Sequence, residues 1–142
     1  MGIRMRTRMV EIGNQATLNR HFSLQDVESF ARVTGDENPL HLDEEFASKT
    51  RFGKRIVHGM LTASLISAVL GNTLPGPGSI YIEQTLRFLA PVYIGDTVTA
   101  IVEVIGLHED KRVVLLRTTC INQESRLVLE GKATLAVPEE TI

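Results

Sequence analysis

Hydrophobic and polar residues alternate through the second half of the chain, which is typical of strands that bury one face. The alternating or β-branched runs cover residues 79–89, 98–104, 112–121 and 127–137. Turn-forming residues separate these runs, so the pattern predicts strands joined by short turns and therefore an antiparallel sheet. One side of the first predicted strand carries four apolar residues, namely Ile80, Ile82, Leu86 and Phe88.

The first half of the chain has helical spacing instead. Ser23 precedes Asp26 by three residues, as in a capping box, and an approximate apolar stripe follows over residues 27–34. Gly35 has the conformational freedom that commonly ends a helix. A short polar helix is predicted next, from Asp43 through about Ser48.

A third helix, over about residues 58–71, has apolar or small residues on nearly all of its faces. A helix without a charged face is usually surrounded by protein. Helices precede strands along the chain, and this order predicts an α+β architecture. One apolar helix beside such a sheet predicts a sheet that wraps around it, and a length of 142 residues suits one domain spanning residues 1–142.

Composition narrows the classes of partner. The net charge is −2 with no basic stripe, so nucleic acid is not an expected ligand. No apolar run approaches the ~18–20 residues of a bilayer span, so we expect no membrane segment.

The single cysteine, Cys120, is predicted to be a small buried core residue, which suits a reducing compartment. Arg4, Arg6 and Arg8 predict a frayed basic N-terminus over residues 1–8.

Residues 35–41, Gly-Asp-Glu-Asn-Pro-Leu-His, are the strongest candidate for chemistry. Pro39 fixes its own φ and moves Asn38 out of the α region, which predicts a stiff, bent segment without regular helix. Such a segment would aim Asp36 and His41 at one point. A carboxylate and an imidazole that share one water are what reversible hydration of a double bond requires. Taken singly, Asp36 also fits a turn aspartate and His41 a structural histidine.

Gly59 marks a second candidate position, at the start of the apolar helix. The first amides of a helix lack internal partners and carry positive partial charge, so a carbonyl placed there would have its developing negative charge stabilised. An ordinary packing glycine at a helix start explains the residue equally well. The neighbouring His58 is predicted to be structural, hydrogen-bonded near the helix N-terminus.

No metal site is predicted, because no pair of histidines has the H-x-x-x-H spacing and no C-x-x-C is present. The chain also lacks a glycine-rich phosphate loop and a G-x-S-x-G elbow. The four histidines are His21, His41, His58 and His108.

The segment from Phe30 to His41 resembles the signature of the MaoC-like, (R)-specific enoyl-CoA hydratases, also called type 2 hydratases. The likeness continues through Ile56-Val57-His58-Gly59-Met60-Leu61 and Ala90-Pro91-Val92, and it covers roughly residues 16–138. The Asp-x-Asn-Pro-Leu-His motif followed by His-Gly is a specific signal, because a chance match to both parts is improbable. The likeness is strongest to short bacterial hydratases that feed polyhydroxyalkanoate synthesis and to mitochondrial 3-hydroxyacyl-thioester dehydratases.

This resemblance implies a hot-dog fold and a homodimer whose sheets join edge to edge. It implies that Asp36 and His41 activate water, that the Gly59 amide binds the thioester oxygen and that Asn38 supports the loop. It also implies an enoyl-CoA or 3-hydroxyacyl-CoA substrate, no cofactor, and a cytoplasmic location with the mitochondrial matrix as the alternative. The residues that match the acyl pocket of the family are Ser67, Leu70 and Leu135.

Two other functions stay open at this point. Hot-dog proteins include thioesterases, which usually rely on one carboxylate without the Asp-x-Asn-Pro-x-His loop. A non-catalytic subunit that binds acyl thioesters is the other alternative, although a binding protein does not need both Asp36 and His41. The carrier is also open, because Arg51, Lys54 and Arg55 would suit either the phosphates of CoA or an acidic acyl carrier protein.

Overall fold

One antiparallel sheet and a layer of helices make up the part of the chain that the structure describes. A computed structural model describes residues 9–142, and the predicted frayed terminus lies outside these residues. In chain order the elements are β1 (Gln15–His21), α1 (Leu24–Thr34), α2 (Pro39–Leu42), α3 (Glu44–Ser48), α4 (Gly59–Asn72), β2 (Ile80–Gln84), β3 (Arg87–Phe88), β4 (Thr97–His108), β5 (Val113–Ile121), β6 (Leu127–Ala136) and a final 3₁₀ turn (Glu139–Thr141). The helices precede most of the strands, so the predicted α+β architecture is confirmed.

The sheet runs in the order β1-β4-β5-β6-β2, and β3 pairs with β6 as well. All of these pairings are antiparallel. Helix α4 packs on the sheet against β1, β4 and β5. The predicted alternation of β4 is confirmed, because the residues that face α4 are at most 1% exposed, namely Val98, Ala100, Val102 and Val104.

Residues 79–89 differ from the prediction of one continuous strand. They form β2 and β3, with a shift of register between Tyr81 and Glu83. Gly131 of β6 permits the interruption, since a Cβ at this position would overlap the Thr85 carbonyl. Because β2 lies at the edge of the sheet, much of its apolar side faces outward, with Ile80 66% and Ile82 58% exposed.

Helix α4 is also less enclosed than its composition suggested. It packs its buried side against one face of the sheet, and the opposite side is uncovered in the single chain. Four of the exposed residues follow helical spacing, namely Met60, Ser64, Ser67 and Gly71. The helix itself occupies the predicted segment, with His58 as the N-cap residue.

Cys120 lies in the core, as predicted, and burial raises the pKa of its thiol to about 12. Such a thiol is not ionised near neutral pH and is a poor nucleophile. Among the described residues, none of the helices has the length and apolar character needed to span a membrane.

Candidate active site

The end of α1 fixes the backbone beside Asp36. Gly35 adopts a left-handed conformation with φ of 80°, which a residue with a Cβ rarely adopts. The Thr34 hydroxyl donates to the Phe30 carbonyl at 2.7 Å and accepts from the Asp36 amide at 3.1 Å. The backbone N–H of Asn38 in turn donates to Asp36 Oδ1 at 3.3 Å. The Asp36 side chain is therefore exposed at a short turn whose backbone is anchored to the helix.

The segment after this turn corrects one sequence prediction. Asn38 has ψ of 124° and lies outside the α region, as expected before proline. However, Pro39 does not continue an irregular loop but begins the one-turn helix α2, because its fixed φ is suited to the first helical position. Asn38 Oδ1 accepts a hydrogen bond from the Leu40 amide at 3.0 Å and caps this helix. The helical turn directs His41 into the protein while Asp36 stays outside.

His41 is 8% exposed, and its Nδ1 lies 2.8 Å from the Ile56 carbonyl oxygen. A carbonyl oxygen only accepts hydrogen bonds, so Nδ1 carries the proton and Nε2 of the neutral ring is an acceptor. Burial is the largest influence on this imidazole and lowers its pKa, and the nearby His58 acts in the same direction. The Ile56 carbonyl and the Asp36 charge oppose that change. His41 is therefore a neutral base near neutral pH.

The structure brings Asp36 and His41 together, as the sequence predicted. One ligand atom from each of Asp36, His41 and His58 lies within 4.8 Å of the other two. Asp36 and His41 form no direct hydrogen bond with each other in the described part of the chain. A water with two hydrogen bonds of about 2.8 Å spans about 4.5 Å between its acceptors. A separation of up to 4.8 Å therefore leaves room for a single shared water between the two side chains.

His58 has contacts that sequence reasoning did not identify. Its Nε2 lies 3.1 Å from the Asp36 carbonyl oxygen, and its ring stacks on His41 with centroids 3.9 Å apart. The Phe30 ring packs on it at 4.8 Å. Spacing along the chain gives no sign of these partners. The available signal was local, because a histidine that follows Ile56 and Val57 and precedes an apolar helix is expected to be buried.

Gly59 is the first residue of α4, and its amide has no acceptor among the described residues. A Cβ at this position would lie 2.8 Å from Cε1 of the Phe88 ring, so a larger residue would have to displace this ring. The amide borders a cavity of about 330 Å³. Residues on the walls of this cavity include Arg51, Ile56, Thr62, Phe88 and Val128.

The three residues predicted to shape the acyl pocket lie apart from this cavity. Ser67 is on the exposed side of α4, whereas Leu70 and Leu135 are 1% and 2% exposed in the core. None of the three lines the cavity beside Gly59. Their role stays a prediction.

Two histidines and one carboxylate are a common set of metal ligands, but this arrangement does not suit a shared ion. The two rings are stacked with 28° between their planes, so their in-plane lone pairs do not converge on one point. The geometry favours an acid–base site.

The fold and this site define a MaoC-like protein of the hot-dog type. The chain belongs to the family described as MaoC-like domain, whose family model matches residues 7–124. The resemblance and the hot-dog fold that were predicted from sequence are thereby confirmed.

Several named proteins are similar to this chain. The chain is 50% identical over 129 residues to an (R)-specific enoyl-CoA hydratase of Rhodospirillum rubrum, covering 91% of this chain and 89% of the relative. It is 50% identical over 131 residues to a 3-hydroxybutyryl-CoA dehydratase of Methylorubrum extorquens, covering 92% and 83%. The solved structure of the (R)-hydratase from A. caviae involved in PHA biosynthesis superposes with a TM-score of 0.89 at 47% identity, covering 93% of this chain and 100% of that one.

Proposed function

We propose that the chain catalyses the reversible addition of water to a trans-2-enoyl-CoA, which gives an (R)-3-hydroxyacyl-CoA. The observation that carries this proposal is the separation of Asp36 and His41, within 4.8 Å of each other, which suits one shared water. The names of the relatives support the same hydro-lyase activity. The reverse reaction is a dehydration, because a catalyst accelerates both directions.

The thioester carbonyl binds at the Gly59 amide, where the positive end of α4 stabilises the enolate that develops during attack. The water donates one hydrogen bond to Asp36 and one to His41 Nε2. Its oxygen bonds to C3 while one of its O–H bonds breaks and the proton passes to this pair. A neutral His41 has no proton on Nε2, so the pair returns to C2 the proton that it received from water.

No redox or metal cofactor enters this reaction, because the conjugated thioester already polarises the double bond. The water loses one proton and C2 gains one, so Asp36 and His41 end in their starting states. General acid–base groups contribute about 10²–10⁴-fold to such reactions, and one oxyanion donor contributes about 10²–10³-fold. These contributions are large enough to make the three groups separable by mutation.

The chain acts as a homodimer that joins the β2 edges of two sheets. Two observations support this arrangement: β2 is a terminal strand of the described sheet, and its apolar residues Ile80 and Ile82 are exposed. An exposed apolar edge is a site for strand pairing. Sedimentation of the wild type as a dimer and of Ile82→Lys as a monomer tests the arrangement. A monomeric wild type would contradict it.

CoA is the carrier that the basic residues near the cavity suit. Arg51 lies over the Phe52 ring at 4.8 Å and Lys54 over the Tyr93 ring at 4.6 Å, whereas Arg55 is paired with Glu44 at 2.7 Å. An acyl carrier protein is the alternative carrier, since its acidic surface would contact the same basic residues of this chain.

The buried, unpaired thiol of Cys120 suits the reducing conditions of the cytoplasm.

An assay with enoyl-CoAs of about four to twelve carbons and a chiral analysis of the product tests the function. We expect loss of absorbance by the conjugated thioester and formation of the (R)-alcohol. Free thiol release would indicate a thioesterase, and binding without any absorbance change would indicate an acyl-thioester-binding subunit. Comparison of CoA with acyl-carrier thioesters identifies the carrier. Substitutions of Ser67, Leu70 and Leu135 that shift the preferred chain length would support their role in the acyl pocket.

A further inference from the structure

We propose that His58 is a positioning residue that holds Asp36 and His41 in register with the Gly59 amide. This inference rests on the proposed function, since it concerns the same three groups. His58 contacts both members of the acid–base pair and immediately precedes the oxyanion residue in the chain.

The two contacts of His58 act on different parts of the site. The hydrogen bond from Nε2 reaches the backbone carbonyl of Asp36 at 3.1 Å and fixes the turn that carries the carboxylate. The stacked ring lies 3.9 Å from the His41 ring and limits its movement perpendicular to its plane. The Ile56 carbonyl gives the His41 ring its one side-chain hydrogen bond among the described residues, so the stacked His58 ring is a second and different restraint.

The position of His58 in the fold makes these contacts useful for catalysis. It is the N-cap residue of α4, so its backbone moves with the Gly59 amide. Its side chain reaches back to the segment at the end of α1. The distance between the shared water and the bound carbonyl is thereby set by one residue. A displacement of about 1 Å in such a geometry can cost about 10²-fold in rate.

His58 itself does not take part in the proton transfers. It is 1% exposed and therefore does not face the substrate. Its Nε2 must carry a hydrogen to bond a carbonyl oxygen, which leaves Nδ1 as an acceptor. Nδ1 is buried and has no partner among the described residues. A proton relay through this ring would therefore have no next group to receive the proton.

Two substitutions separate the contacts of His58. His58→Phe retains an aromatic ring to stack on His41 but cannot donate to the Asp36 carbonyl. His58→Gln retains an amide donor but loses the stacked ring. We expect each variant to lower kcat about 10- to 100-fold while KM changes less than about threefold. His108→Phe, at an exposed histidine distant in the fold, is the matched control and is expected to retain wild-type kcat.

Double-mutant cycles show whether His58 acts through the pair. Residues that act as a unit have strongly non-additive effects. We expect His58→Gln to cost less than about twofold when His41 is already alanine, and His58→Phe likewise when Asp36 is already asparagine. A merely structural role of His58 would leave the full effect in each background, because destabilisation does not depend on the catalytic groups.

The outcomes are distinguishable once kcat is expressed per folded protein, with folding measured by circular dichroism. The inference is overturned if either folded variant keeps kcat within about twofold of wild type, or if KM alone rises. Should one variant not fold, the other still decides the question through its own cycle. If His41→Ala and Asp36→Asn retain activity, it is the proposed function that fails. If these two lose activity and the His58 variants do not, this inference alone fails.

Discussion

The inner face of β4 and the segment that carries Asp36 and His41 are held in place by different interactions. The inner-face residues Val98, Ala100, Val102 and Val104 are at most 1% exposed, and β4 lies between two hydrogen-bonded neighbours, β1 and β5. Asp36 is exposed, and its turn is held by single hydrogen bonds such as the one from His58. The sheet thus supplies stability, whereas the segment depends on a few contacts for its position. Substitutions in the two regions should separate stability from rate.

The largest effect on rate is expected in the segment. Asp36→Asn and His41→Ala should each lower kcat for hydration by about 10²–10⁴-fold, since the first removes the basic carboxylate and the second removes the imidazole that accept the proton of the attacking water. Asp36 is exposed, so Asp36→Asn should leave the thermal midpoint nearly unchanged. Steady-state hydration of crotonyl-CoA and a thermal melt of each variant are the measurements. Near-normal turnover in either variant would contradict the assignment.

The largest effect on stability is expected in the sheet. Leu116 of β5 is 0% exposed, and Leu116→Ala should lower the free energy of unfolding by about 2–5 kcal/mol because it removes buried methyl groups and leaves a cavity. Urea unfolding measures this change. Val33→Ala, at a residue 86% exposed on α1, is the control and should change stability by less than about 0.5 kcal/mol. A large loss of kcat per folded molecule in Leu116→Ala would contradict the expectation that the sheet determines stability and not rate.

Gly59 tests the boundary between the two regions, because it belongs to the core helix and faces the cavity. Gly59→Ala should lower kcat/KM about tenfold, since the new Cβ would press on the Phe88 ring and narrow the approach to the amide. Phe88 is 52% exposed, so its ring has room to move and stability should change little. Gly71→Ala, in the same helix with nothing within 4 Å of the new Cβ, is the matched control. It should retain activity and gain about 0.5–1 kcal/mol of stability. Equal rates in both alanine variants would exclude a role for Gly59 in binding.

The smallest effect is a shift in the pH profile. Burial lowers the pKa of His41 from its ordinary value of 6.5, and the neutral ring is the form that accepts a proton from water. Activity should therefore persist below pH 6.5 and fall as the pH drops through the folded-state pKa. The unfolded state takes up this proton at a higher pH, so the free energy of unfolding should fall in the same direction. The pH dependence of kcat/KM, with a parallel stability series, measures both. An acid limb above pH 6.5 would contradict this view of His41.

Local patterns in the sequence predicted most of the fold. The capping box of Ser23 and Asp26 and the left-handed Gly35 are present at the two ends of α1. The alternation in β4 identified its buried face because a strand has a fixed period of two. The division of residues 79–89 was not predictable in this way. It depends on how Gly131, in a distant strand, meets Thr85.

The candidate site was predictable only where its residues are close in sequence. Asp36 and His41 lie five positions apart, and the stiffness of Pro39 suggested that they could share one target. The helical turn of α2 was missed, because proline disrupts the interior of a helix but is favoured at its first position. The sequence prediction used only the first of these two properties. The contacts of His58 join it to His41 and Asp36, which precede it by 17 and 22 positions. No local sequence pattern indicates contacts between residues so far apart in the chain.

The residue that orients the imidazole does so with its main chain. The carbonyl of Ile56 holds His41 Nδ1, while the Ile56 residue also borders the cavity next to Gly59. Every amino acid carries that carbonyl, so the side chain here can change without altering the tautomer on which the chemistry depends. Substitutions at position 56 can therefore reshape this cavity without removing the hydrogen bond that orients His41.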